Sequence, residues 1–225
     1  MSVVKRRIRV WDLPTRIFHW VLAALVVFSF ITGKIGGSWL EWHMKSGYSI
    51  LTLIVFRLAW GVAGSETSRF SSFVRGPGAF FAYARDMMAR RHDAVIGHNP
   101  MGGWIVLLML LAVLAQAVSG LFADDEIATQ GPLAVKVSNA LVARMSSFHA
   151  YNGWTVAILA AVHVIAIATY WLAWKDNLVR PMWTGWRDVA PGTGEPASRP
   201  AWLAAVFLAL AAAGVYWLVV VYPKG

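Results

Sequence analysis

The sequence predicts an all-α membrane protein, and three observations point there. Hydrophobic residues make up 58% of the 225 and charged residues 14%, with a mean hydropathy of +0.57, too apolar for an ordinary soluble domain. Five segments are long and apolar enough to cross a hydrocarbon core of about 30 Å. The basic residues, which give a net charge of +9, bracket those segments instead of forming one soluble face, so the partner they imply is a lipid bilayer and not nucleic acid.

The first segment, Ile17 to Gly33, has no small-residue cleavage site after it and reads as a retained helix, not a signal peptide. The second, Gly47 to Ala63, is the weakest because Arg57 interrupts it. Trp104 to Phe122 is the third, and Ser146 to Trp174 the fourth, with 29 residues and no charge. The fifth, Ala201 to Tyr222, follows a Pro/Gly-rich stretch from Pro191 to Pro200 that reads as a linker. No water reaches these depths, so each segment has to satisfy its own backbone, which only a helix does alone. The chain thus divides into a membrane bundle over residues 1–190, a linker over 191–200 and a further C-terminal span over 201–225. There is no internal repeat.

Orientation follows from the Lys and Arg count. The arm before the first span (Lys5, Arg6, Arg7, Arg9, Arg16), the loop from Gly64 to Gly103 and the segment from Lys175 to Pro200 together hold fourteen; the other side holds five, Lys34, Lys45, Lys136, Arg144 and Lys224. The positive-inside bias puts the N-terminus in the cytoplasm, and five spans put the C-terminus on the opposite face. The loop with Asp124, Asp125 and Glu126 then faces outward. Trp39, Trp42, Trp104, Trp171 and Trp174 fall near span ends, as interfacial aromatic residues do. The absence of cysteine excludes disulfides, cysteine-ligated clusters and covalent haem attachment, and leaves histidine, methionine or oxygen as metal ligands.

Four histidines form a depth pattern. His149 and His163 are 14 residues apart on the fourth span; 14 steps of about 100° bring both rings to roughly one face, about 21 Å apart along the axis. His19 lies just inside the inner start of the first span and matches the depth of His163. His43 lies just before the second span, on the outer side, and matches His149. Two imidazoles facing each other across a helical bundle supply both axial ligands to a haem iron, and the sequence offers two such pairs. The alternative is a histidine that only bonds a neighbouring helix or sits at the interface. His92 and His98 fall in the basic loop and read as solvated surface residues.

Arg57 is 14 residues after His43, hence on the His43 face but at inner depth beside His19 and His163. A haem propionate is one partner for it there, and snorkelling to the headgroups is the other. Arg16, one turn before His19, is a second propionate candidate. Gly33, Gly47, Gly120 and Gly153 lie at span ends or near the histidines, where the lack of a side chain admits a flat porphyrin or another helix.

The stretches VWDLPTRIFHW, FRLAWGVAGSETSRFSSF, GHNPMGGW, FHAYNGWTVAILAAVHVIA and NLVRPMWTG, in this order, resemble the bacterial cytochrome b561 family, which includes the b-type cytochrome subunit of nickel-iron hydrogenases. The resemblance covers about residues 8 to 187. It implies a four-helix bundle holding two b haems, with His19, His43, His149 and His163 as ligands, and leaves the fifth helix outside as a docking or assembly element. Ala150 stands where the family usually has a glutamate. The resemblance implies electron transfer across the bacterial inner membrane between the quinone pool (ubiquinone or menaquinone) and a periplasmic redox protein, such as a c-type cytochrome or a dehydrogenase subunit. Asp124, Asp125 and Glu126 could steer a basic cytochrome, or be an ordinary solvated loop. Competing functions are a superoxide oxidase that reduces quinone, an anchor subunit for a hydrogenase, and a haem-free transporter using intramembrane His and Arg.

Overall fold

The computed structural model describes residues 6–89, 95–127 and 129–224. His92, and with it Lys5, Arg90 and Arg91 from the topology count, lies outside the described residues. Five helices are long and apolar enough to cross a membrane, as expected. Their large exposed apolar side chains, such as Ile165, Leu172 and Leu210, are what a lipid solvent requires. The chain forms two compact units, Met1–Ile17 with Leu58–Leu108 and Val162–Ala204, and Phe18–Arg57 with Met109–Ala161 and Ala205–Gly225.

The first unit holds a feature absent from the all-helical expectation. Strand β1 (Arg6–Arg9) pairs antiparallel with β2 (Trp186–Val189), Arg6 opposite Val189 and Arg9 opposite Trp186. Ile8 is fully buried with Val10 and Trp11, against Ile96, Met182 and Val189, while the arginines on either side of it are exposed. The long helix α1 (Leu13–Ile35) starts where it does because Asp12 caps it, accepting the Thr15 amide at 2.8 Å. The other Asp12 oxygen accepts the Trp60 indole N–H at 3.1 Å and the Ser68 hydroxyl at 3.4 Å, and the hydroxyls of Ser68 and Thr15 bond each other at 2.7 Å. Asp12, Thr15 and Ser68 are buried, and Trp60 is wholly so. Asp12→Ala removes a cap and orphans the indole, each costing roughly 1–2 kcal/mol. We expect a clearly lower Tm in detergent; a Tm unchanged from wild type would show that the network carries no stability.

Helix α2 (Leu40–Ala63) follows a 3-10 turn at Gly37–Trp39. It begins earlier than its apolar stretch, so His43 stands inside the first turns instead of before them, and Arg57 is buried in the helix without breaking it. A helix can extend past its apolar stretch, and here the Glu41–Lys45 pair (2.6 Å) and the Ser46 hydroxyl donating to the His43 carbonyl support the extra turns. The short helix α3 (Phe70–Phe73) and the amphipathic α4 (Pro77–Met88) lie in what the sequence leaves as a loop. Tyr83 of α4 lies 3.2 Å, hydroxyl to hydroxyl, from Tyr170, and burial followed by that bond holds its phenol above the usual tyrosine range. Asn99 caps α5 (Pro100–Gly120), accepting the Gly102 amide at 2.7 Å, with Pro100 in the first turn. His98 is not a solvated surface residue: its half-buried ring lies 4.9 Å from both the Trp11 and Phe73 rings.

Helix α6 (Asn139–Trp174) is the longest, and α7 (Val179–Thr184) ends at Gly185. With φ +88°, Gly185 adopts the left-handed conformation that glycine takes without strain, and its carbonyl accepts the Val10 amide at 2.8 Å. A side-chain carbon there would lie 2.9 Å from the Trp11 carbonyl. The Pro/Gly-rich linker is irregular as expected but tied down: Ala197 exchanges bonds with Glu66 and the Arg199 amide reaches the Ser65 hydroxyl at 3.0 Å.

In the second unit, Leu51, Leu121, Leu133 and Val215 form a buried cluster with Tyr48, Leu114, Phe122, Leu218 and Val219 around it. Val215 belongs to α8 (Ala201–Tyr216), and Leu218 and Val219 to the π-helical turn Trp217–Val221 that continues it. The fifth helix is therefore packed within its own chain. In the loop after α5, Asp124 and Asp125 accept bonds from Glu126, Ile127, Thr129 and Gln130 of the same loop, so both carboxylates shape the turn.

Candidate cofactor site

Two of the four histidines meet in the second unit. The ring centroids of His43 on α2 and His149 on α6 are 5.8 Å apart, with planes at 89°. The His43 Nδ1 lies 2.8 Å from the carbonyl oxygen of Ser29, and the His149 Nδ1 lies 2.9 Å from that of Gln116. A carbonyl only accepts, so both rings carry their hydrogen on Nδ1 and keep the Nε2 lone pair for a metal. The Ser29 and Ser119 hydroxyls, each 3.2 Å from the same nitrogens, complete two similar settings.

Glycines make room for the rings. A side-chain carbon at Gly33 would lie 2.9 Å from two atoms of the His43 ring, and one at Gly120 would lie 2.8 Å from the His149 ring. In both settings the accepting carbonyl precedes the glycine by four residues: Ser29 and Gly33 on α1 hold the histidine of α2, and Gln116 and Gly120 on α5 hold that of α6. One helical turn separates carbonyl from glycine, so both lie on one face against the ring.

Gln116 also joins α5 to α6 through its side chain, donating to the His149 carbonyl at 3.0 Å and accepting from the Asn152 amide at 2.9 Å. Asn152 gives a second bond to the Ala112 carbonyl at 2.9 Å. Such polar links hold helices together where water is absent. A side-chain carbon at Gly153 would lie 3.4 Å from the Gln116 amide nitrogen, so this glycine serves the approach of α6 to α5. Among the described residues, and apart from its own helix backbone, nothing lies within 4 Å of the corresponding position at Gly47, one turn after His43.

These residues fit a haem. Imidazoles bound to opposite sides of one metal, with bonds of about 2 Å and about 1 Å from nitrogen to ring centre, stand roughly 6 Å apart centre to centre, close to the observed spacing. Two nitrogens form an incomplete set for a bare ion but the full axial set for an iron whose equatorial ligands come with a porphyrin. Among the described residues, no group of three or more His, Cys, Asp or Glu side chains is placed to hold a metal.

His19 stands on α1 in the second unit, its ring 5.0 Å from that of Trp20, and His163 stands half-buried on α6 in the first. Arg57 is buried with its guanidinium carbon 6.0 Å over the Phe18 ring. Arg16 donates from one terminal nitrogen to the Trp183 carbonyl. Its Nε is buried and, among the described residues, has no acceptor, which leaves a donor for a carboxylate such as a propionate.

Sequence reasoning missed Ser29, Gln116, Ser119 and Asn152. Gln116 and Asn152 had a usable signal, a primary amide inside an apolar run and another three residues after a candidate ligand. Gly47→Ala meets no atom of the described residues outside its own helix backbone, so it tests whether a macrocycle lies there: we expect a lower Soret-to-protein absorbance ratio with Tm nearly unchanged, and a wild-type ratio would remove Gly47 from the site.

The family described as prokaryotic cytochrome b561 matches residues 10–185, nearly the stretch over which the resemblance runs. No curated protein and no solved structure matches the chain. With most of its length matched and its spans in place, the chain belongs to the prokaryotic cytochrome b561 family, membrane b-type cytochromes of electron transfer.

Proposed function

We propose that this protein is a dihaem cytochrome b that passes electrons across the inner membrane between the quinone pool and a periplasmic redox protein. The observation that carries the proposal is the His43–His149 pair, 5.8 Å apart with each Nδ1 bonded to a helix carbonyl. In this reading the pair holds the outer haem, and His19 with His163 holds the inner one. Arg16 and Arg57 receive propionates, and Gly47, Gly120 and Gly153 flank the macrocycles. The N-terminus is cytoplasmic, as the basic residues indicate.

A haem held by these histidines would supply one-electron iron chemistry, at a potential tuned by the histidines and their surroundings. The Ser29 and Gln116 carbonyls orient the imidazoles and make them more basic, which favours the oxidised metal. The helical bundle excludes water from the ligands, and buried guanidinium groups offset the charge of propionates. Of the outer cations that a superoxide-oxidising site would need, Lys45 is ion-paired with Glu41 at 2.6 Å, so we favour the quinone-to-periplasm reading.

The test is the purified protein. We expect two b-type haems per chain by the pyridine haemochrome method, and reduction of both by a soluble quinol. A chain without b-type absorbance, or with a haem count of one, overturns the proposal.

A further inference from the structure

The starts of α1 and α8 share a cleft of about 390 Å³, lined by Arg9, Asp12, Leu13, Ser198, Arg199 and Ala201 among others. We propose that this cleft binds the phosphate of an anionic glycerophospholipid.

Depth is the first reason. Four crossings separate the start of the first span from the start of the fifth, so both starts lie on one side of the membrane. Residues 13 and 201 open their spans, which places the cleft where hydrocarbon gives way to headgroups, the level of lipid phosphates.

Charge is the second. Arg9 and Arg199 are exposed, and among the described residues neither is ion-paired. The Arg9 guanidinium carbon lies 5.7 Å over the Trp186 ring, a contact that restrains the side chain without neutralising it. The acid in the lining, Asp12, is buried and turned to the Thr15 amide, the Trp60 indole and the Ser68 hydroxyl. Glu195 accepts from the Arg9 backbone amide at 3.2 Å. The cleft thus offers two exposed cations to an incoming phosphate.

The third reason is the apolar surface beside it. Leu13 and Ile17, one turn apart on α1, are about half exposed at 45% and 54%, and Trp202 in the first turn of α8 is 67% exposed. These side chains suit the upper acyl chains and interfacial region of a bound lipid. A soluble phosphate would gain nothing from them, so the occupant is a lipid. A zwitterionic lipid masks its phosphate with its own cation, so the lipid is anionic.

The full chain is reconstituted in nanodiscs of phosphatidylglycerol and phosphatidylcholine in equal parts, and the lipid it retains on release is counted by native mass spectrometry. Wild type is expected to retain phosphatidylglycerol in preference. An arginine near an anionic surface is worth roughly fivefold in binding, so the double variant Arg9→Gln/Arg199→Gln is expected to lose roughly thirtyfold. Arg85→Gln, on the exposed face of α4, is expected to retain the lipid, and inorganic phosphate is expected not to displace it. The proposal is overturned if the double variant retains as much phosphatidylglycerol as wild type, if Arg85→Gln weakens retention equally, or if inorganic phosphate strips the lipid. Should the double variant fail to elute as a single species, Arg199→Gln alone, with its fivefold loss, decides the matter.

Discussion

Replacing His43 or His149 by alanine is expected to lower the haem content from the proposed two per chain to one, and replacing both is expected to lower it no further. The expected non-additivity follows from the proposed pairing: if the two facing imidazoles share one metal, the first substitution already removes what the second would. His19→Ala and His163→Ala are expected to behave alike and to remove the other haem. A cross-pair double variant, His43→Ala with His163→Ala, then leaves none. The pyridine haemochrome count reads all four cases. A His149→Ala chain that keeps both haems, or a His43→Ala chain that loses both, would end the proposed pairing.

The second large effect is expected from a single methyl group. In Gly120→Ala the new carbon would stand 2.8 Å from the His149 ring, and a helix backbone cannot retreat while Gln116 and Asn152 link α5 to α6. The ring has to move instead, which breaks its bond to the Gln116 carbonyl. Overpacking and a lost buried bond each cost of the order of 1–3 kcal/mol. We expect loss of the outer haem, or a displaced potential where some remains, with the inner haem spectrum intact. Gly33→Ala, at 2.9 Å from the His43 ring, repeats the effect from the other helix pair. Gly214→Ala on α8 is the control, because among the described residues nothing outside its own helix backbone lies within 4 Å of the added carbon. Wild-type spectra and potentials in both Gly33→Ala and Gly120→Ala would show that the glycines do not shape the site.

The features legible in the sequence are those with a periodic or compositional signature. Five apolar runs yield five helices because lipid leaves the backbone no other partner. Position along the spans gives His43 and His149 matching depths, and the structure brings the two rings together. The acceptors behind them were not legible: the carbonyls of Ser29 and Gln116 exist at every residue, and only the packing of α1 on α2 and α5 on α6 selects them. The β1–β2 ribbon escapes for a related reason. Arg6 to Arg9 show one buried position in four, and pairing with residues some 180 positions away leaves no local pattern. Asp12 does carry a local signal, since an aspartate just before Leu13 and Pro14 at the head of an apolar run marks a helix cap. His98 misleads because a basic loop suggests solvent, whereas Trp11 and Phe73 enclose its ring.

The ribbon between Arg6–Arg9 and Trp186–Val189 also sets an order of assembly. The first strand precedes every span in the chain and has to wait, unpaired, until the four long apolar helices between the two strands have been made. The ribbon can close only once residue 189 has been made, after all four of the long apolar helices that lie between its strands.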